Sequence, residues 1–130
     1  MATILIIEDN EMNLALVQLL LQRSGHAIQS ARDAEAGLMM AAESQPDLIL
    51  MDIQLAGMDG LEATRRLKRD TATRYIPVIA LTALAMQGDE ERIRAAGCDA
   101  YIAKPIDYRH FLQIVSTCLE PTAAHVLERE

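Results

Sequence analysis

The sequence has 130 residues, enough for one domain that buries roughly two-thirds of its unfolded surface. Hydrophobic residues make up 51% and charged residues 24%, the composition of an ordinary soluble globular protein. The formal net charge of −7 sets the protein's own field against nonspecific binding to nucleic acid, so no nucleic-acid partner is expected. The one short basic run, Arg65, Arg66, Lys68 and Arg69, reads as a charge match to the C-terminal end of a helix dipole rather than as a binding patch. Cys98 and Cys118 lie far apart and form no C-x-x-C pair, which suits free thiols in a reducing compartment. The apolar run Ile4–Ile7 is followed at once by Glu8 and Asp9, so it is no signal segment, and no run is long enough to span a bilayer. A cytoplasmic protein without a membrane partner is expected.

Short β-rich runs alternate with longer helical ones. The first strand is predicted at Thr3–Glu8, followed by a helix from Glu11 to Ser24 that stops at Gly25. A second strand covers His26–Ser30. Ser30-Ala-Arg-Asp33 resembles a capping box opening the second helix, whose inner face carries Ala34, Gly37, Leu38, Ala41 and Ala42 and which ends before Pro46. The third strand, Asp47–Asp52, is followed by a second capping-box pattern, Asp59-Gly-Leu-Glu62, at the third helix. Ile76–Thr82 forms the fourth strand, about Gly88–Ala96 the fourth helix, and Ala100–Ala103 the fifth strand. From Asp107 a fifth helix buries Phe111, Ile114, Val115, Cys118 and Leu119. The first, third and fourth strands are nearly continuous in Ile, Leu and Val, as central parallel strands covered on both faces are. The expectation is an α/β domain over residues 1–120, a doubly wound five-stranded parallel sheet with helices on both faces, and a frayed tail over 121–130.

Parallel α/β sheets bind ligands beyond the carboxyl ends of their strands. Strand one ends in Glu8-Asp9, strand three in Asp52 and strand four in Thr82, and strand five is followed by Lys104-Pro105; strand two ends without such a group. Three carboxylates meeting at one edge repel one another unless a cation joins them, and an all-oxygen donor set favours a hard ion such as Mg²⁺, with Mn²⁺ also admissible. Asp9 and Asp52 are the expected direct ligands, Glu8 acts through a water, and the backbone carbonyl of Gln54 completes the protein's share. A phosphoryl group on Asp52 would find counter-charge in the cation and Lys104, and donors in the Thr82 hydroxyl and the Ala83 N–H. Asp52 is then the nucleophile of a phosphoryl transfer. His26, His110 and His125 are scattered, and no Ser or Cys partner is evident for them.

Glu8-Asp9, Asp47-Leu-Ile-Leu-Met-Asp52-Ile-Gln, Gly57-Met-Asp-Gly60, Thr82-Ala83 and Lys104-Pro105 together resemble the receiver domain of bacterial response regulators over about residues 3–119. That resemblance implies a CheY-like, flavodoxin-like sheet of order 2-1-3-4-5. It implies phosphorylation of Asp52, a metal site that includes Glu8 and Asp9, and stabilisation of the phosphoryl group by Thr82 and Lys104. It further implies a switch in which Tyr101 follows Thr82, and a cis peptide bond between Lys104 and Pro105, a conformation that costs little before proline. The stretches from Thr82 to Arg94 and from Gly97 to Ile106 are similar to stand-alone DivK-type cell-cycle receivers and to receivers of hybrid histidine kinases. Ala56 stands where the family usually has proline.

The expected function is that of a single-domain response regulator in a phosphorelay. It receives phosphate from a sensor histidine kinase or a histidine phosphotransfer protein and signals through a downstream protein target, catalysing no reaction beyond its own phosphorylation and dephosphorylation. The start at Met1, directly before strand one, favours a stand-alone chain over the receiver module of a hybrid kinase. A magnesium-dependent aspartyl phosphohydrolase usually carries an acid two residues after its nucleophile, and Gln54 stands there. Retention of every acid with Thr82 and Lys104 argues against a pure scaffold, and Glu8-Asp9-Asn10 would repel the phosphate of a flavodoxin's ligand. In helix one, Leu14 and Leu19 are candidates for an exposed docking patch.

Overall fold

The structure is a computed structural model that describes residues 2–83 and 87–120; the expected C-terminal tail lies outside them. Along the chain run β1 (Thr3–Ile7), α1 (Glu11–Arg23), β2 (Ala27–Ala31), α2 (Ala34–Ser44), β3 (Leu48–Asp52), α3 (Gly60–Arg69), β4 (Val78–Thr82), α4 (Gln87–Ala96), β5 (Ala100–Ala103) and α5 (Tyr108–Leu119). The strands form one parallel sheet in the order β2-β1-β3-β4-β5. Order and fold are those expected. No helix among the described residues is long and apolar enough to cross a membrane.

Every residue of β3 and β4 is buried, which explains their unbroken apolar runs. One face of the sheet packs Leu5, Ile7, Ile49, Met51 and Val78 against Ala34 and Ala41 of α2 and Ala63 and Leu67 of α3. The same face continues through Ala80 to Ile93 and Ala96 of α4. The other face packs Ile4, Ile6, Leu48, Leu50, Ile79, Leu81 and Ile102 against Val17 and Leu21 of α1 and Phe111 and Val115 of α5. The two-residue period of each strand thus divides the helices between the faces.

The helix starts are held by side chains. Asn10, Asp33, Asp59 and Asp107 each accept hydrogen bonds from backbone N–H groups of the first turn. Asp59 caps α3 as its sequence pattern indicates, but Ser30 does not cap α2. Ser30 lies inside β2, paired with Ile6, and Asp33 takes the role by accepting from Ala36 N–H at 2.8 Å. The docking stripe of α1 also differs from expectation. Leu14 packs against the core, while Met12, Leu16 and Leu19 are exposed at spacings of four and three.

At the edge of the sheet where the strands begin, Lys68 leaves the basic run and turns inward. Its ammonium donates to the Ile76 carbonyl at 2.9 Å and to Asp99 Oδ2 at 3.0 Å, and the same carboxylate oxygen accepts from Val78 N–H at 2.8 Å. Arg65, Arg66 and Arg69 instead gather around Glu62 on the surface of α3.

At the opposite edge, α3 comes down directly on the end of β3. A Cβ added at Gly60 would fall within contact distance of the Asp52 carbonyl oxygen and 2.7 Å from Ile53 Cα, both backbone atoms that cannot rotate away. Gly60→Ala is therefore expected to cost about 1–3 kcal/mol of stability in urea unfolding, as over-packing does, because α3 must lift off the strand that carries Asp52. Unchanged stability would show that α3 has room to spare.

Candidate functional site

The site is assembled at the carboxyl edge from residues that end a strand, Asp52 and Thr82, or follow one directly, Glu8, Asp9 and Lys104. Glu8 and Asp52 continue the alternation of Ile4–Ile6 and Leu48–Leu50, so they point to the α1–α5 side, and Lys104 stands in the same phase as Ile102. The backbone fixes their heights. Glu8 N–H donates to the Ala31 carbonyl at 3.0 Å, and Lys104 N–H donates to the Thr82 carbonyl at 2.7 Å. The peptide bond from Lys104 to Pro105 is cis.

Glu8, Asp9 and Asp52 offer carboxylate oxygens that all lie within 4.8 Å of one another. Glu8 and Asp52 are buried, at 1% and 3% exposure, whereas Asp9 faces solvent. Lys104 supplies the counter-charge, its ammonium 3.1 Å from Glu8 Oε1 and 3.5 Å from Asp52 Oδ1. Among the described residues, one cation thus faces three acids. Burial of the Glu8 carboxyl, reinforced by Asp52 beside it and only partly relieved by Lys104, pushes its pKa up to about 7.

Other contacts steer the acids. Gln54 N–H donates to Asp52 Oδ1 at 2.9 Å, and Asn10 N–H donates to Glu8 Oε2 at 3.4 Å. Ala56 N–H donates to Asp9 Oδ2 at 3.2 Å, a bridge from the loop after β3 to the loop after β1. The Gln54 side chain also crosses the mouth of the site, where its Oε1 accepts from Ala83 N–H at 3.3 Å. Thr82, fully buried, ends β4 beside these groups. Beyond β2, where no polar group was expected, Arg32 pairs with Glu11 at the start of α1.

All the residues singled out at the strand ends, Glu8, Asp9, Asp52, Thr82 and Lys104, therefore sit on one edge. Tyr101 is on β5, half-buried against the cluster formed by β4, α3 and α4. It also lines a surface cavity of about 620 Å³ together with Arg94, Ile102, Pro105, His110 and Ile114. The N–H donors of Gln54 and Ala56 could not be picked out from residue type, because every residue but proline has one. The Glu8–Lys104 pair joins residues 96 positions apart and is equally silent in the sequence. The two thiols stand apart from this edge. Burial raises the pKa of both Cys98 and Cys118, which suits inert packing.

The oxygen-only donor set, the mutual reach of three carboxylates and a single lysine against them fit a hard divalent cation. They do not fit a thiolate or imidazole metal site. What the edge can do chemically is hold such an ion beside a buried, partly neutralised aspartate.

Comparison with known proteins agrees with this geometry. The model of the response regulator receiver domain matches residues 4–116. The polar-differentiation response regulator DivK of Brucella anthropi is 50% identical over 117 residues, covering 90% of this chain and 95% of its own. Among solved structures, the receiver domain of a sensor histidine kinase from Pseudomonas aeruginosa, which has a magnesium ion coordinated in its active-site cleft, is 34% identical with a TM-score of 0.85. That match covers 91% of this chain and 97% of the other. The receiver domain of a signal transduction histidine kinase from Syntrophus aciditrophicus is 30% identical with a TM-score of 0.85, covering 92% and 90% of the two chains. By sequence, fold and the composition of its carboxyl edge, this chain belongs to the response regulator receiver domain family.

Proposed function

We propose that this two-component signalling protein works as a single-domain response regulator that accepts a phosphoryl group on Asp52. The observation that carries the reading is the buried Asp52 carboxylate, 3.5 Å from the Lys104 ammonium and within reach of two further acids. The donor would be the phosphohistidine of a sensor kinase or of a phosphotransfer protein. An Asp52 oxygen bonds to phosphorus, the nitrogen–phosphorus bond breaks, and the electron pair leaves on the imidazole. Mg²⁺ held by Asp9, Asp52 and the Gln54 carbonyl, with Glu8 acting through water, would offset the charge of the incoming phosphoryl oxygens. Lys104 neutralises a further oxygen, and the Thr82 hydroxyl and Ala83 N–H donate to another. For Ala83 this requires the Gln54 amide to give up its hydrogen bond, an exchange of a neutral acceptor for a charged one.

Output would then pass to the face that carries the Tyr101 cavity, for a downstream protein target. Movement of the Thr82 hydroxyl toward phosphate opens space beside β4 that the Tyr101 ring can enter, and phosphate biases the two arrangements by its differential affinity for them. The identity of 50% across 95% of DivK's length supports action without an attached output domain.

Three outcomes test this reading. Incubation with a small phosphodonor and Mg²⁺ should add one phosphoryl mass to the intact protein, and Asp52→Asn should abolish it; labelling that persists in the variant places the acceptor elsewhere. Thr82→Ala should still take up phosphate but lose much of the phosphate-dependent amide shift at Tyr101 and Ile102. Equal shifts in both proteins would refute the Thr82–Tyr101 route alone.

The third outcome concerns pH. Because the Glu8 pKa is raised from 4.5 to about 7, the folded protein binds a proton there that the unfolded chain has lost. The stability this group contributes is full below about pH 4.5 and is lost as pH rises to about 7, by at most ~3 kcal/mol. Without Mg²⁺, thermal melts of wild type should fall over that window relative to Glu8→Gln, and Mg²⁺ should offset the loss most strongly at the alkaline end. Parallel melts of the two proteins would mean that Glu8 is ionised throughout.

A further inference from the structure

We propose that the outer face of α3, with the turn that follows it, binds an acidic peptide segment of a partner protein. Arg65, Arg66, Lys68, Arg69 and Arg74 are five of the chain's twelve basic residues, and of these Lys68 alone turns inward, to Asp99. Between residues 60 and 76 the only acids are Glu62 and Asp70. Leu61, Ala63, Thr64 and Leu67 form the buried side of α3, which leaves Glu62, Arg65, Arg66 and Arg69 on the opposite side. The helix dipole does not account for this face, because Arg65 precedes the last turn and Arg74 lies beyond the helix. Arg74 stacks over the ring of Tyr75, 4.8 Å from its centroid, and Tyr75 is 70% exposed. Arginine and tyrosine are the residue types that most often carry binding energy where proteins meet.

Glu62 shows which chemistry the face takes. Its carboxylate accepts from Arg66 Nε at 3.1 Å, and from Arg65 Nη1 and Arg69 Nη2 at 3.4 Å. Arg66 foremost holds its pKa below the usual carboxylate range. Three guanidiniums thus converge on one carboxylate, and Arg65 and Arg66 each give it one nitrogen of a planar fork with five N–H donors. Further carboxylates on a peptide match the other donors in the bidentate geometry that arginine favours. The net charge of −7 requires that the segment be short. Charges beyond about 8 Å are screened at physiological salt, so a short acidic segment responds to the local surplus of arginine. A long duplex nucleic acid spans the molecule and meets its whole negative field.

The test is fluorescence anisotropy of a dye-labelled oligoglutamate peptide, with the amide and arginine Nε resonances of the full chain showing where it sits. At about 0.15 M salt, shifts are expected at Arg65, Arg66, Arg69, Arg74 and Tyr75. Arg65→Gln, Arg66→Gln and Arg69→Gln combined should weaken binding by roughly tenfold, the scale of three exposed ion pairs. Glu62→Gln removes the resident carboxylate, frees the guanidiniums that hold it, and should tighten binding by about threefold. Unchanged binding in the triple variant, weaker binding in Glu62→Gln, or shifts centred on another face would overturn the proposal. So would binding that vanishes at that salt, or a DNA duplex that binds the same face as tightly as the peptide.

Discussion

The structure is organised around an unbalanced charge, three carboxylates gathered within 4.8 Å with one ammonium to answer them. Buried like charges at such separations are costly, and two of the three are withdrawn almost wholly from water. A fold tolerates this only when rigid elements hold the groups where they are. Here β1 and β3 are packed on both faces and paired directly to each other, so Glu8 and Asp52 cannot separate without breaking the centre of the sheet. The helices repeat that constraint from outside. Asn10 fixes the start of α1 beside Asp9, and Gly60 lets α3 press on the backbone of Asp52.

The imbalance also gives the site its readiness. Burial beside Asp52 raises the Glu8 pKa to about 7, and Lys104 relieves this only in part. The same edge carries donors already engaged with weaker partners, as Ala83 N–H is with the Gln54 amide. A neutral amide is a weaker acceptor for such an N–H than a charged group would be.

Much of this could be read from the residues. Continuous Ile, Leu and Val runs marked the buried strands because a parallel sheet leaves its central strands no wet face. Asp59 announced its helix by a local hydrogen bond, so the pattern was visible over four residues. The strand-end position of the acids, Thr82 and Lys104 followed from topology alone. Ser30 misled because its pattern is shared by a strand that lies one residue further along than read, ending at Ala31, and hands the cap to Asp33. Leu19 is exposed as expected, but Leu14 is not, because apolar residues nearly encircle α1 and leave its phase undetermined in sequence. The contacts of Gln54 and Ala56 depend on loop paths, which no residue type encodes.

The Lys68–Asp99 cluster has a mechanical consequence. It ties the end of α3, the segment before β4 and the first residues of β4 and β5 together at the edge opposite the acids. Each strand is only four or five residues long, so the distance from this clamp to Thr82 and Ala103 is about 15 Å. Beyond the clamp β4 is held along its length between β3 and β5, and β5 pairs with it as far as Thr82 and Ala103. A load on either strand is therefore shared with its paired neighbours along the whole ladder, from the clamp to the acidic edge.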